Sequence, residues 1–274
     1  MPLFDEWAER EEAVFIVGPP RSGTTVMCRT LSEAPGFWPA RLETFAFIPG
    51  QLEARPLLKT TAGYLGERHD AFIAAADAEK LSAVALARLY FYEASKQYDS
   101  GRLIEKTPNH LRRIAMIKEA FPRSRILIMT RNPRDMVISR RVRHELDKSL
   151  GVDESELNWL RPPIDQLLRK FHQIDKAISS ALRTWPDSIV CVSYDHLVES
   201  PATHLKAMGE KLGMPATDID VMIGRATRER VAAPDETSKP ARDAPIGPTA
   251  RRTDMLTREE EAAIASAEFV HLRA

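Results

Sequence analysis

Charge of one sign, cysteine and long apolar runs are all scarce in this chain of 274 residues. Its 39 lysines and arginines meet 39 aspartates and glutamates, so no bulk field draws it toward nucleic acid or an acidic membrane surface. No apolar run approaches the roughly 18 residues that a membrane-spanning helix needs. The acidic, amphipathic start MPLFDEWAEREEAVF lacks the basic and apolar regions of a signal peptide. A cytoplasmic protein without a transmembrane segment is expected. The two cysteines, Cys28 and Cys191, share no metal-ligand spacing and read as reduced thiols of the core. With 43% hydrophobic and 28% charged residues, the rest is ordinary globular composition. We expect one domain over residues 1–274, with no internal repeat.

A lysine is missing as well. Residues 14–25, VFIVGPPRSGTT, have the outline of a Walker A loop, with four residues between Gly18 and Gly23 and Thr25 in the Ser/Thr position. Backbone N–H groups of such a loop and of the following helix converge on an anion, and the helix dipole favours negative charge. Thr24, however, stands where a Walker lysine would neutralise the β- and γ-phosphates. The loop's cation is Arg21 instead. After the apolar run RILIMT comes Arg131, not the aspartate that helps hold Mg²⁺ in nucleotide triphosphatases. A nucleotide with a shorter anionic group and no metal is expected. Two other classes stay open: a P-loop kinase or NTPase, with Asp195 as its magnesium candidate, and a nucleotide-binding module without catalysis.

Around this loop the hydrophobic pattern predicts an α/β fold. AVFIV at 13–17, RLIEK at 102–106, RILIMT at 125–130 and IVCVSY at 189–194 are short apolar runs of the kind buried on both faces of a parallel sheet. Helical stretches follow them, TTVMCRTLSEAPG after the first and HLRRIAMIKEAF after the second. The alternation predicts a central parallel sheet flanked by helices in three layers. Residues 51–100 and 155–185 show helical periodicity without strands and are placed as helical insertions. Residues 232–252, with four prolines, read as a loop or lid.

GPPRSGTT together with TRNPRDMVISRRVRHE resembles the paired signatures of sulfotransferases that use 3′-phosphoadenosine 5′-phosphosulfate (PAPS). The resemblance implies that Gly18, Pro20, Arg21, Ser22, Gly23, Thr24 and Thr25 form the 5′-phosphosulfate loop, and that Arg131 and Ser139 bind the 3′-phosphate. Arg143, four residues beyond Ser139, falls on the same helical face and would join them in a cage around the dianion.

Three more segments extend the likeness. RLETFAFIP at 41–49 resembles the Glu-Thr segment of tyrosylprotein sulfotransferases, EKTP at 105–108 their Lys-x-Pro segment, and YDHLVESP at 194–201 their Tyr-acidic-x-Leu-Val stretch. The match is weakest at 51–100, 145–185 and 215–250. By this likeness Glu43 is the general base, and Arg21 and Lys106 stabilise the leaving oxygen. His110 is the alternative base, since its ordinary pKa suits proton transfer; its other reading is capping or packing ahead of LRRIAMI. Glu105 pairs with Lys106 or an arginine. Tyr194, at a strand end where open α/β sheets bind ligands, is a nucleotide contact. Ser238, Lys239, Arg251 and Arg252 are lid candidates for the 3′-phosphate. Lacking a signal, an anchor and any positive excess, the chain points to a small-molecule or lipid-like hydroxyl acceptor, or an amine, rather than to acidic secreted peptides.

Overall fold

A computed structural model describes residues 2–38, 43–53, 65–78, 80–98, 101–228, 246 and 254–272. All four apolar runs are strands: β1 (Val14–Val17), β2 (Ile104–Lys106), β3 (Arg125–Thr130) and β4 (Ile189–Ser193). They form one parallel sheet in the order β2-β1-β3-β4. Every residue of β1 is buried, which is why its sequence is continuously apolar rather than alternating. Phe15 on β1 packs its ring against Phe47, Phe91 and Phe121 at centroid distances of 5.6, 6.1 and 5.5 Å. Each such buried ring contributes about 1.5–3 kcal/mol through burial alone.

Helices cover the sheet. After α1 (Leu3–Arg10) and β1 comes α2 (Thr24–Ser32), followed by α3 (His69–Ala78) and α4 (Ala83–Ser95), whose cap Ser82 accepts from Ala85 N at 3.2 Å. The stretch HLRRIAMIKEAF divides into a 3₁₀ turn, Pro108–Arg113, and a short α5 (Ile114–Ala120). Its first turn is tightened by His110 N donating back to Thr107 O at 3.0 Å. The long α6 (Pro133–Ser149) starts with proline at its first position and Asn132 as cap, where proline's missing N–H costs nothing. Beyond a short α7 (Glu154–Leu157), α8 (Ile164–Thr184) buries Leu167, Phe171, Ile174, Ile178 and Ala181, an apolar stripe of helical period. The expected helical insertions are therefore present in the described parts of 51–100 and 155–185.

Two expectations change here. The fourth strand ends at Ser193, and Tyr194 opens α9 (Tyr194–Glu199) because the Ser193 hydroxyl caps it from His196 N. Cys191 is exposed, not a core thiol, whereas Cys28 is buried. β4 lies at the sheet's edge, where one strand face is not fully covered. Protein atoms packed around the Cys191 sulfur still push its thiol up to about 11.

The chain closes with α10 (Pro201–Lys211), α11 (Ala216–Arg228) and α12 (Arg258–Ser266). Since β2 lies on one side of β1 and β3 and β4 on the other, the connections reverse direction beside β1. Crevices at such switch points, beyond the carboxyl ends of the strands, are where open α/β sheets hold ligands.

Candidate active site

The loop after β1 enters that crevice. Gly18 has φ 151°, and a Cβ there would lie 2.4 Å from Met129 O of β3, so only glycine lets the chain leave the sheet here. Pro20 and Arg21 form the tip of the turn, closed by Ser22 N donating to Pro19 O at 3.2 Å. Arg21 sits at φ 77°, a left-handed conformation unusual for a side-chain-bearing residue, of the kind that surrounding structure must impose. Gly23, at φ 90°, leaves space for the Tyr194 ring, which a Cβ would meet at 2.2 Å. Thr24 and Thr25 then open α2, with Thr24 buried. The Ser22 side chain is fully buried, and its hydroxyl has no hydrogen-bond partner among the described residues.

On the β3 side stands a group of cations. Arg21 Nε donates to Ser139 Oγ at 3.1 Å. Arg131, the first residue past β3, donates from Nη1 to Arg21 O at 3.1 Å and lies over the Tyr194 ring at 4.5 Å. Its buried Nε has no hydrogen-bond partner among the described residues and stays 4.0 Å from Asp195 Oδ1. The other oxygen of Asp195 accepts from Asn132 N at 2.7 Å. That carboxylate, the magnesium candidate of the kinase reading, is thus engaged with the start of α6 and faces an arginine. Arg143 turns its Nε onto Asp147 Oδ2 at 2.6 Å. Arg140, one residue past Ser139, is buried and donates to Trp159 O at 3.0 Å.

Burial, and repulsion from Arg143, Arg131 and Arg140, lower the Arg21 guanidinium to about 10, with Asp147 opposing the shift. A cation brought among three others is the electrostatic signature of a place prepared for an anion.

On the β2 side stands an acid and a base. Ile16 of β1 pairs with Lys106, the last residue of β2, and Gly18 N donates to Pro108 O at 3.4 Å. Lys106 therefore flanks the loop. Its ammonium, 3% exposed as a residue, donates to Glu43 Oε1 at 2.8 Å, while the Glu43 side chain keeps 31% of its surface open.

Glu105, the preceding strand residue, points to the opposite face. It does not pair with Lys106 or an arginine, as the sequence reading had it, but with His110 Nδ1 at 3.1 Å, Thr107 Oγ1 at 2.6 Å and Thr44 Oγ1 at 2.9 Å. Burial raises its pKa, and the pull of His110 with hydrogen bonds from His110, Thr107 and Thr44 outweighs this and holds the carboxyl below the ordinary range. His110 itself is fully buried, and its Nε2 accepts from Phe47 N at 3.3 Å. Both of its ring nitrogens are thus engaged inside the protein.

Thus Gly18, Pro20, Arg21, Ser22, Gly23, Thr24, Thr25, Arg131, Ser139 and Tyr194 converge on one crevice, with Arg143 beside it and Glu43 and Lys106 along its other flank. Ser238, Lys239, Arg251 and Arg252, together with residues 41 and 42, lie outside the described residues. Arg140, Thr44 and Thr107 had no role in the sequence reading. Arg140 had a signal: with Met136, Val137 and His144 it recurs at helical spacing, and all four are buried.

The Sulfotransferase family profile matches residues 13–218, and the chain belongs to that family. Two solved structures are similar over three-quarters of the molecule. The sulfotransferase domain from the curacin biosynthetic pathway is 18% identical, with a TM-score of 0.50 and 76% of each chain covered. The sulfotransferase domain of the Synechococcus PCC 7002 olefin synthase is 19% identical, with a TM-score of 0.50, covering 76% of this chain and 75% of that one. At such identity the likeness is one of fold, the parallel sheet with its flanking helices. No curated protein matches in sequence. No described helix is long and apolar enough to cross a membrane, and no group of His, Cys, Asp or Glu among the described residues is arranged to hold a metal.

Proposed function

We propose that the protein transfers a sulfuryl group from PAPS to the hydroxyl, or amine, of a small or lipid-like acceptor, with Glu43 as general base and without a metal. One observation carries the reading: Arg21, Arg131, Arg140 and Arg143 crowd one side of a glycine loop, where burial first and then the other three cations lower the Arg21 pKa to about 10, while a carboxylate bridged to a buried lysine at 2.8 Å lies on the other. A nucleotide with anionic groups at both the 3′ and 5′ positions fits this charge distribution. Ser22 Oγ and Arg131 Nε, buried and without a hydrogen-bond partner among the described residues, fit it too, because buried polar groups call for a partner that a ligand can supply.

In this reading the loop from Gly18 to Thr25 holds the 5′ group, and Arg131, Ser139 and Arg143 the 3′-phosphate. PAPS supplies the activated sulfuryl group. Glu43 accepts the acceptor's hydroxyl proton, and Lys106, bonded to its Oε1 at 2.8 Å, orients that carboxylate. Arg21 and Lys106 hold positive charge where negative charge builds, a contribution of about 3 kcal/mol for a preorganised donor.

Calorimetric titration with adenosine 3′,5′-bisphosphate, beside ATP with Mg²⁺, tests the donor site. Tight metal-free binding of the bisphosphate, lost in Arg131→Ala, is the expected result; binding of ATP with Mg²⁺ alone overturns the reading. For the base, Glu43→Gln is expected to lower kcat by about 10²- to 10⁴-fold, measured as transfer from labelled PAPS across a panel of phenols and alkyl alcohols.

A further inference from the structure

The segment that carries Glu43 has no regular secondary structure at 43–45 and turns at 46–47. Its ties to the sheet run through side chains. Thr44 N donates to Thr107 Oγ1 at 3.2 Å and more weakly to Glu105 Oε1 at 3.4 Å, and Thr44 Oγ1 donates to Glu105 Oε1 at 2.9 Å. Phe45 N donates to Thr107 Oγ1 at 3.3 Å and Phe47 N to His110 Nε2 at 3.3 Å. Three backbone N–H groups and one hydroxyl of a five-residue stretch are thus read by Glu105, Thr107 and His110, all buried to 0% exposure. Between them Phe45 holds φ 54°, a left-handed conformation that a bulky side chain keeps only where neighbours over-determine it. An ionised glutamate in a dry interior is also costly unless fully bonded. The fold tolerates both beside the Glu43 carboxylate that Lys106 holds at 2.8 Å.

We propose that Glu105, Thr107 and His110 are positioning residues for the reaction: a buried polar template that fixes the conformation of residues 43–47 and so holds the Glu43 carboxylate on Lys106. The inference rests on Glu43 as the base. Because Nε2 accepts from Phe47 N, His110 is the Nδ1–H tautomer and donates to Glu105 Oε2. Glu105 in turn is acceptor-only, as an ionised carboxylate, and collects the donors from His110, Thr107 and Thr44. Consecutive residues of β2 therefore divide the work: Lys106 binds the Glu43 carboxylate directly, and Glu105 holds the next residue, Thr44, through its hydroxyl at 2.9 Å and its backbone N at 3.4 Å.

The test uses the full chain with His110→Asn, and Thr44→Val as a milder variant that deletes only the hydroxyl bonds. Crystal structures of both, with the ring tautomer of wild-type His110 read from ¹⁵N NMR, give a readout independent of turnover. An Nδ1–H tautomer and a Glu43–Lys106 pair displaced in the folded variants support the proposal. A pair kept at its present distance in either folded variant, or an Nε2–H tautomer, overturns it. In the kinetic arm, PAPS and 2-naphthol are the substrates. His110→Asn is expected to lower kcat about 10²-fold, the scale of a 1 Å misplacement, with bisphosphate affinity unchanged. The same substitution placed on Glu43→Gln should have no further effect, whereas equal losses in both backgrounds overturn the assignment. Failure of wild type to bind the bisphosphate would instead strike at the donor reading, leaving the structural arm to decide the template.

Discussion

Replacing Arg21 by methionine should stabilise the ligand-free protein while disabling it. The guanidinium has its pKa lowered from 12.5 to about 10, first by burial and then by Arg143, Arg131 and Arg140. A shift of that size corresponds to about 3 kcal/mol against the charged form, reduced to about 2 kcal/mol by solvent screening at a partly open crevice. The sign matters. Folded and unfolded arginine are both charged at neutral pH, below both pKa values, so the penalty is fully present there and fades only as pH climbs through about 10. Methionine keeps the apolar stem, removes the charge and gives up the bond to Ser139 Oγ at 3.1 Å, worth about 1 kcal/mol. The balance is a gain of about 1 kcal/mol, or about 2–4 °C in Tm for a chain of this size, constant across neutral pH. The same variant should bind adenosine 3′,5′-bisphosphate about 30-fold more weakly or worse, having lost a charge-assisted contact of about 2 kcal/mol. Thermal melts with and without the bisphosphate measure both. A lowered ligand-free Tm combined with an undiminished ligand shift would refute the idea that these cations await an anion.

Three other perturbations address the frame around the site. Gly23→Ala puts a Cβ 2.2 Å from Tyr194 Cδ2 at φ 90°; we expect a loss of about 1–3 kcal/mol in denaturant melts, together with weakened bisphosphate binding as Tyr194 moves off Arg131. Glu260, bonded to Arg141, is held down at about 2 against an ordinary 4.5, so its stabilisation is full above pH 4.5 and is lost as pH falls toward 2. The Tm difference between wild type and Glu260→Gln should therefore narrow on acidification, and a constant gap would contradict it. Asp175 accepts Val270 N at 2.9 Å and His271 N at 2.8 Å from beneath the C-terminal residues; Asp175→Ala should cost about 2 kcal/mol and raise amide exchange at 270 and 271.

Much of this was legible before any coordinates. The four strands announce themselves because a parallel sheet covered on both faces demands unbroken apolar runs, and GPPRSGTT with TRNPRDMVISRRVRHE marks the family because an anion loop constrains backbone and charge at fixed spacing. What escaped did so for physical reasons. Cys191 looks like any core residue of an apolar strand, but burial of a strand face depends on whether another element covers the edge, and local pattern does not encode that. Glu105 next to Lys106 invites an ion pair on paper; the two-residue period of a strand sends them to opposite faces. His110 carries a catalytic residue's chemistry, and only the contacts of its two nitrogens separate a proton acceptor from a strut. Arg140 hides in a basic run until one counts which face of α6 is apolar.

The arginines of α6 show why the charge at the crevice is specific rather than a by-product of a basic helix. On one side, Arg134 is matched by Glu261 through bonds of 2.6 to 3.0 Å, and Arg141 bonds Glu260 of the same helix, α12. These cations are neutralised by partners from sequence more than a hundred residues away, beyond the span of the family match at 13–218. Toward the glycine loop the provision among the described residues is different: Arg21 and Arg143 share Asp147, Arg131 has Asp195 at 4.0 Å, and Arg140 donates to the Trp159 carbonyl. A chain with equal numbers of acidic and basic residues had carboxylates available and used them on the far side of the helix. Leaving the near side in positive excess among the described residues costs stability in the free protein, a cost that a bound anion would offset, and the ligand-free and ligand-bound melts of Arg21→Met measure that difference.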